Sequence, residues 1–86
     1  MIVLTPPVEM SQIPSARTRS RIRKFAIQYC NAPNQEERDK VYVRSRDLRN
    51  VHPNVEAVIH RVINACIIND YQKVADIIRI DKRELF

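Results

Sequence analysis

Eighty-six residues with 44% hydrophobic content make one small domain that can build a core, which excludes a disordered charge tail. The formal net charge is +5, which favours a polyanion or an acidic protein face as partner. Glycine is absent, so phosphate-cradling P-loops and dinucleotide-binding turns are excluded, and tight hairpins are disfavoured along with an all-β fold.

In chain order, residues 1–14 contain Pro6, Pro7 and Pro14 and read as an extended Pro-rich arm, followed by a single helical domain over 15–86. The arm's apolar residues Ile2, Val3, Leu4, Val8 and Ile13 predict docking, on this chain or on a partner. Met1 to Leu4 is too short for a signal-peptide core and lacks a basic lead-in. No apolar run approaches the ~18 residues of a membrane span. The expectation is a cytoplasmic protein with no membrane partner.

Helix one is predicted from about Ser15 to Cys30, with Ser15 as cap and Asn31-Ala32-Pro33 as stop. Ile22, Phe25, Ala26 and Tyr29 recur at i, i+3, i+4, i+7 and form a buried stripe. Arg17, Arg21, Lys24 and Gln28 follow similar spacing on the opposite side, with Arg19 and Arg23 flanking the apolar stripe. Residues 17–24 thus carry five cations and no acid, and the rest of the chain is neutral in sum.

Helix two is predicted from Asn34, where Asn34-Gln35-Glu36-Glu37 has a capping-box pattern, to about Arg49. Val41, Ser45 and Leu48 lie on one side. Lys40 to Arg44 also alternates as a strand would, so strand is the competing reading there. Arg44, Arg46 and Arg49, against Asp47 alone, would extend the basic face if helix two packs beside helix one.

Asn50 to Pro53 reads as a turn, with Pro53 at the first position of helix three. Val55, Val58, Ile59, Val62, Ile63, Cys66 and Ile67 form the strongest apolar stripe of the chain and predict a central helix. Asn69-Asp70 dents or breaks it, and a helical pattern continues to about Arg79. Asp81-Lys82-Arg83-Glu84 is a second capping-box pattern, opening a stub that ends at Phe86. The predicted fold is all-α: a small three- to four-helix domain with an extended Pro-rich arm, small enough that a homodimer through helix three or the arm is compatible with it.

The chemistry-bearing candidates are cationic. Arg17, Arg19, Arg21, Arg23 and Lys24, extended by Arg44, Arg46 and Arg49, are the predicted nucleic-acid contacts, because an arginine fork meets phosphate with two bonds and stays charged. Arginines alternating with Thr18 and Ser20 resemble the arginine-rich helices that bind RNA. The competing reading is a solvated face. His52 and His60, with Arg61 adjacent, would suit a ribonuclease pair, but eight residues of separation define no shared site. His52 reads as a helix-start residue and His60 as a flank of the core stripe. His52, His60, Cys30 and Cys66 show no metal-ligand spacing, and no cofactor motif is present. Two cysteines make no disulfide framework and read as small buried hydrophobes in a reducing compartment. Tyr29 belongs to the buried stripe, while Tyr42 and Tyr71 suit packing or base stacking.

Gln72 to Leu85 resembles a helix-turn-helix, with Val74, Ala75, Ile78, Ile80 and Leu85 at the motif's apolar positions. Arg79 stands where that motif has glycine in the turn, and the second helix would be a turn and a half, so the segment reads as a structural corner. The basic Arg17–Lys24 helix in a glycine-free chain of this length resembles the small basic early accessory proteins of T4-like phages, among them inhibitors of host toxin–antitoxin ribonucleases. That resemblance implies binding to the toxin ribonuclease together with RNA, in the host cytoplasm. The predicted function is a non-enzymatic accessory or regulatory protein that binds nucleic acid, RNA before DNA. One alternative is an inhibitor or adaptor docking its basic face on an acidic partner without nucleic acid. A second is a DNA-binding transcription regulator with a truncated helix-turn-helix.

Overall fold

A computed structural model describes residues 7–86, and these form five α-helices with no strand among them. Of the arm, Ile2, Val3, Leu4 and Pro6 lie outside the described residues. From Pro7 onward it docks on the domain. Met10 and Ile13 are buried in the core, and Met10–Gln12 close a single 3-10 turn. Two arginines clamp this segment by its backbone. Arg61 Nη1 donates to the Val8 carbonyl at 2.6 Å and Arg19 Nη1 to the Ile13 carbonyl at 2.5 Å.

Helix α1 spans Ala16–Asn31, and Ser15 Oγ caps it by accepting from the Thr18 N–H. Its stripe Ile22, Phe25, Ala26 and Tyr29 is buried as its spacing predicts. Helix α2 spans Gln35–Arg44, with the Asn34 side chain accepting from the Glu37 N–H at 2.9 Å and two acids in the first turn, where the helix dipole favours them. Residues 40–44 are helical, so the strand reading is overturned: Val41 is buried while Val43 is exposed, the opposite of a strand with both on its inner face.

The expected single helix to Arg49 is instead broken at Ser45, and α3 spans Arg46–Arg49. Ser45 is buried, and its hydroxyl donates to the Tyr42 carbonyl at 2.6 Å while accepting from Arg49 Nε at 3.0 Å. A hydroxyl that bonds the backbone of the preceding turn competes with the helix ladder and bends it.

Helix α4 spans Pro53–Ile67 and α5 spans Tyr71–Ile78. Val58, Ile59, Val62 and Cys66 of α4 are fully buried, and α4 packs on α1, α3 and α5. Ile67, expected in this stripe, is half exposed beside exposed Ile68, because the helix ends there. The ending is a Schellman turn: the Asp70 N–H donates to the Ala65 carbonyl and the Asn69 N–H to the Cys66 carbonyl, with Asn69 left-handed at φ 60°. Helix α5 ends the same way around Arg79 at φ 59°, with the Ile80 N–H donating to the Ala75 carbonyl at 3.0 Å. A glycine-free chain therefore places Asn and Arg where glycine usually sits. A capped 3-10 turn over Lys82–Leu85 comes next, and it seats Leu85 in the core.

The cysteines correct one expectation. Both are buried, but they are not separate hydrophobes: Cys30 near the end of α1 and Cys66 near the end of α4 form a disulfide, with Cα atoms 6.0 Å apart. Packing α1 on α4 aligns two positions 36 residues apart, a pairing that two isolated cysteines in a sequence do not announce.

Candidate nucleic-acid interface

Helix α1 packs on α2, α3, α4, α5 and the C-terminal turn, so its outer side alone remains for a partner. That side carries Arg17, Arg21 and Lys24. Arg17, Arg21 and Lys24 are all exposed, and none of the three forms an ion pair among the described residues. Arg19 and Arg23 are already engaged. Arg19 holds the Ile13 carbonyl, and Arg23 Nε donates to the Ile78 carbonyl at 2.9 Å. Arg23 thereby supplies a cation and a donor to the C-terminal end of α5, where carbonyls lack helical partners.

The second basic cluster divides the same way. Arg44 is exposed and makes one long bond, Nε to the Lys40 carbonyl at 3.3 Å. Arg46 is exposed. Arg49 is structural: it lies over the Tyr42 ring at 3.9 Å from the centroid, and its guanidinium donates to Tyr42 Oη and the Tyr42 carbonyl, both at 3.1 Å.

Where α1 meets α2, a shallow groove of about 230 Å³ runs between them. Arg21, Lys24 and Gln28 line one wall and Arg44 and Ser45 the other, over a floor of Phe25, Val41 and Leu48. Sequence spacing separates Arg21 and Lys24 from Arg44 by a loop, and the packing of α2 on α1 closes that gap. The acids of α2 do not neutralise the groove by pairing across it. Glu36 and Glu37 face Lys40, at 4.0 and 3.1 Å. The floor residues were legible only as core positions of their own helices.

The remaining candidates do not converge on this groove. His52 caps α4 with its own ring, Nδ1 accepting from the Asn54 N–H at 3.0 Å. His60 faces Glu56 at 3.5 Å, and eight residues of helix put it roughly 12 Å along the axis from His52. No cluster of metal-ligating side chains occurs among the described residues. Tyr29 is buried against Phe25, with the Arg38 guanidinium over its ring at 5.6 Å. Tyr71 packs edge-on against Phe86 at 5.0 Å, and its hydroxyl donates to Asn69 Oδ1.

At the C-terminal corner, Arg79 takes the left-handed turn geometry, but the next element is a four-residue 3-10 turn with Leu85 buried. Arg83 forks onto Asp81 there, Nη2 to Oδ2 at 3.0 Å. The Arg83 side chain, then its backbone N–H, hold the Asp81 carboxyl below its ordinary value. No helix of the described residues is long and apolar enough to cross a membrane. Family models, curated proteins and solved structures offer no match to this chain.

Proposed function

We propose that the protein is a non-enzymatic nucleic-acid-binding accessory protein that holds an RNA backbone along the outer side of α1, with Arg17, Arg21, Lys24 and, across the groove, Arg44 as the phosphate contacts. The observation that carries this reading is the convergence of Arg21, Lys24 and Arg44 on one groove with no carboxylate paired to any of them among the described residues. Unpaired cations on a helix keep their full attraction for phosphate, and releasing the nucleic acid's counterions drives binding. RNA is favoured over DNA because the cations lie on an arginine-rich helix, and the four-residue turn after the Arg79 corner is too short to read a major groove. Inhibition of a toxin ribonuclease, which the phage-protein resemblance implies, would use the same face to reach enzyme and RNA together.

The test is the salt dependence of RNA binding. Arg17→Ala, Arg21→Ala and Lys24→Ala combined should lower the slope of log affinity against log salt by about 0.7–0.9 for each phosphate interaction removed. Arg44→Ala should lower it further. An unchanged slope with intact folding removes α1 from the interface. Loss of a captured acidic protein with RNA affinity untouched would transfer the face to protein docking.

A further inference from the structure

A cleft of about 330 Å³, sharing no lining residue with the α1 groove, opens between the docked arm, α4 and the end of α5. Its floor is closed by buried Met10 and Ile77. Its walls carry five ionisable side chains: the cations Arg61, Lys73 and Arg79, and the carboxylates Glu9 and Asp76. No two of these five form an ion pair among the described residues. Four of the five are exposed, and Arg61 alone is partly buried. Arg61 is tethered by Nη1 to the Val8 carbonyl, and Asp76 Oδ1 accepts from the Gln72 amide at 3.0 Å. Lys73, Asp76 and Ile77 share one face of α5 by their spacing.

Arg79 lines the cleft from the left-handed position that ends α5, at φ 59°, ψ 51°. The carbonyls ending α5 would repel an anion, but Arg23 already occupies the Ile78 carbonyl. A cleft at the small end of ligand-site volumes, about 300–1,000 Å³, suits a ligand of mononucleotide size.

The geometry points to a second binding site, for a ribonucleotide phosphate monoester: Arg61, Lys73 and Arg79 take the phosphate, and Glu9 and Asp76 accept from the ribose hydroxyls. A phosphate monoester carries close to two negative charges near neutral pH and has acceptor oxygens for several forked donors. The carboxylates reject inorganic phosphate by repulsion and reward a ligand that brings hydroxyl donors beside its phosphate. The same chemistry is offered by a free mononucleotide and by the 5′-phosphorylated end of an RNA strand. The site is independent of the α1 groove.

The test follows backbone amide shifts of the full chain during titration with GMP, inorganic phosphate, and a short RNA in 5′-phosphate and 5′-hydroxyl forms. The expected result is saturable shifts at Met10, Arg61, Ile77 and Ile80 with GMP, or with the 5′-phosphorylated RNA alone. The first identifies a mononucleotide as the source, the second an RNA end. Arg79→Gly removes the guanidinium while suiting the left-handed backbone, and Lys73→Gln removes a second charge. Each should weaken binding about tenfold or more, the scale of one charge-assisted hydrogen bond. Glu9→Gln with Asp76→Asn should lose discrimination between GMP and inorganic phosphate. The Arg17, Arg21 and Lys24 triple alanine variant should bind GMP as the natural chain does, so the two sites fail separately. No cleft shifts with either GMP or 5′-phosphorylated RNA, or equal shifts with both RNA forms and none with GMP, would overturn the proposal.

Discussion

Arg79 is where one residue departs furthest from its ordinary preferences. A Cβ crowds the following carbonyl in the left-handed region, and glycine escapes this at an entropic cost in the unfolded chain. Arg79→Gly should therefore raise stability by up to about 1 kcal/mol, read as a shift of the denaturation midpoint with unchanged slope. A lower midpoint would mean that the Arg79 side chain contributes more than its backbone costs. Asp81 gives a pH signature at the same corner. Its carboxyl is held below the ordinary 3.8 by Arg83, so its contribution to folding is present above that value and lost as pH falls through the folded value. Carboxyl resonances followed by NMR should show Asp81 titrating low in the natural chain and moving upward in Arg83→Ala. The fork at Asp81 and Arg83 was only a capping pattern in the sequence, since a two-residue offset says nothing about which way the arginine turns.

At the scale of elements, α1 was legible in detail: its cap, its buried stripe and its cationic side all follow from spacing at 3.6 residues per turn. Periodicity could not separate the five cations by role. Arg19 and Arg23 sit at the edge of the apolar stripe, where a long side chain reaches across to a neighbouring carbonyl, and only the neighbour's position reveals that it does. Arg23→Ala leaves the Ile78 carbonyl without its donor and should cost about 1–3 kcal/mol of stability with little change in RNA affinity. Arg17→Ala should do the reverse, within about 0.5 kcal/mol in stability and weaker in binding. Thermal denaturation beside binding isotherms checks both, and equal stability losses would dissolve the distinction. The break in helix two at Ser45 escaped the pattern because a serine on the buried side fits a helix until its hydroxyl bonds the backbone.

For the whole molecule, the link between Cys30 and Cys66 spans a separation of 36 residues and ties the basic helix α1 to α4. Loop-closure entropy for such a span corresponds to about 3–4 kcal/mol, so a reductant should lower stability by an amount of that order, and Cys30→Ala with Cys66→Ala should reproduce it. Mass spectrometry under native and reducing conditions would show the two-hydrogen difference, and its absence removes the link. The helical class, the caps of α1, α2 and α4, the core stripes and the concentration of charge on residues 17–24 were legible from the residues in order, because each is a local matter of dihedral preference, spacing and composition. Packing alone sets which cations face solvent, that Arg44 joins Arg21 and Lys24 at one groove, that Arg61, Lys73 and Arg79 meet at another, and that two cysteines pair. Those are relations between distant segments, created when burying the apolar stripes brings their flanks together.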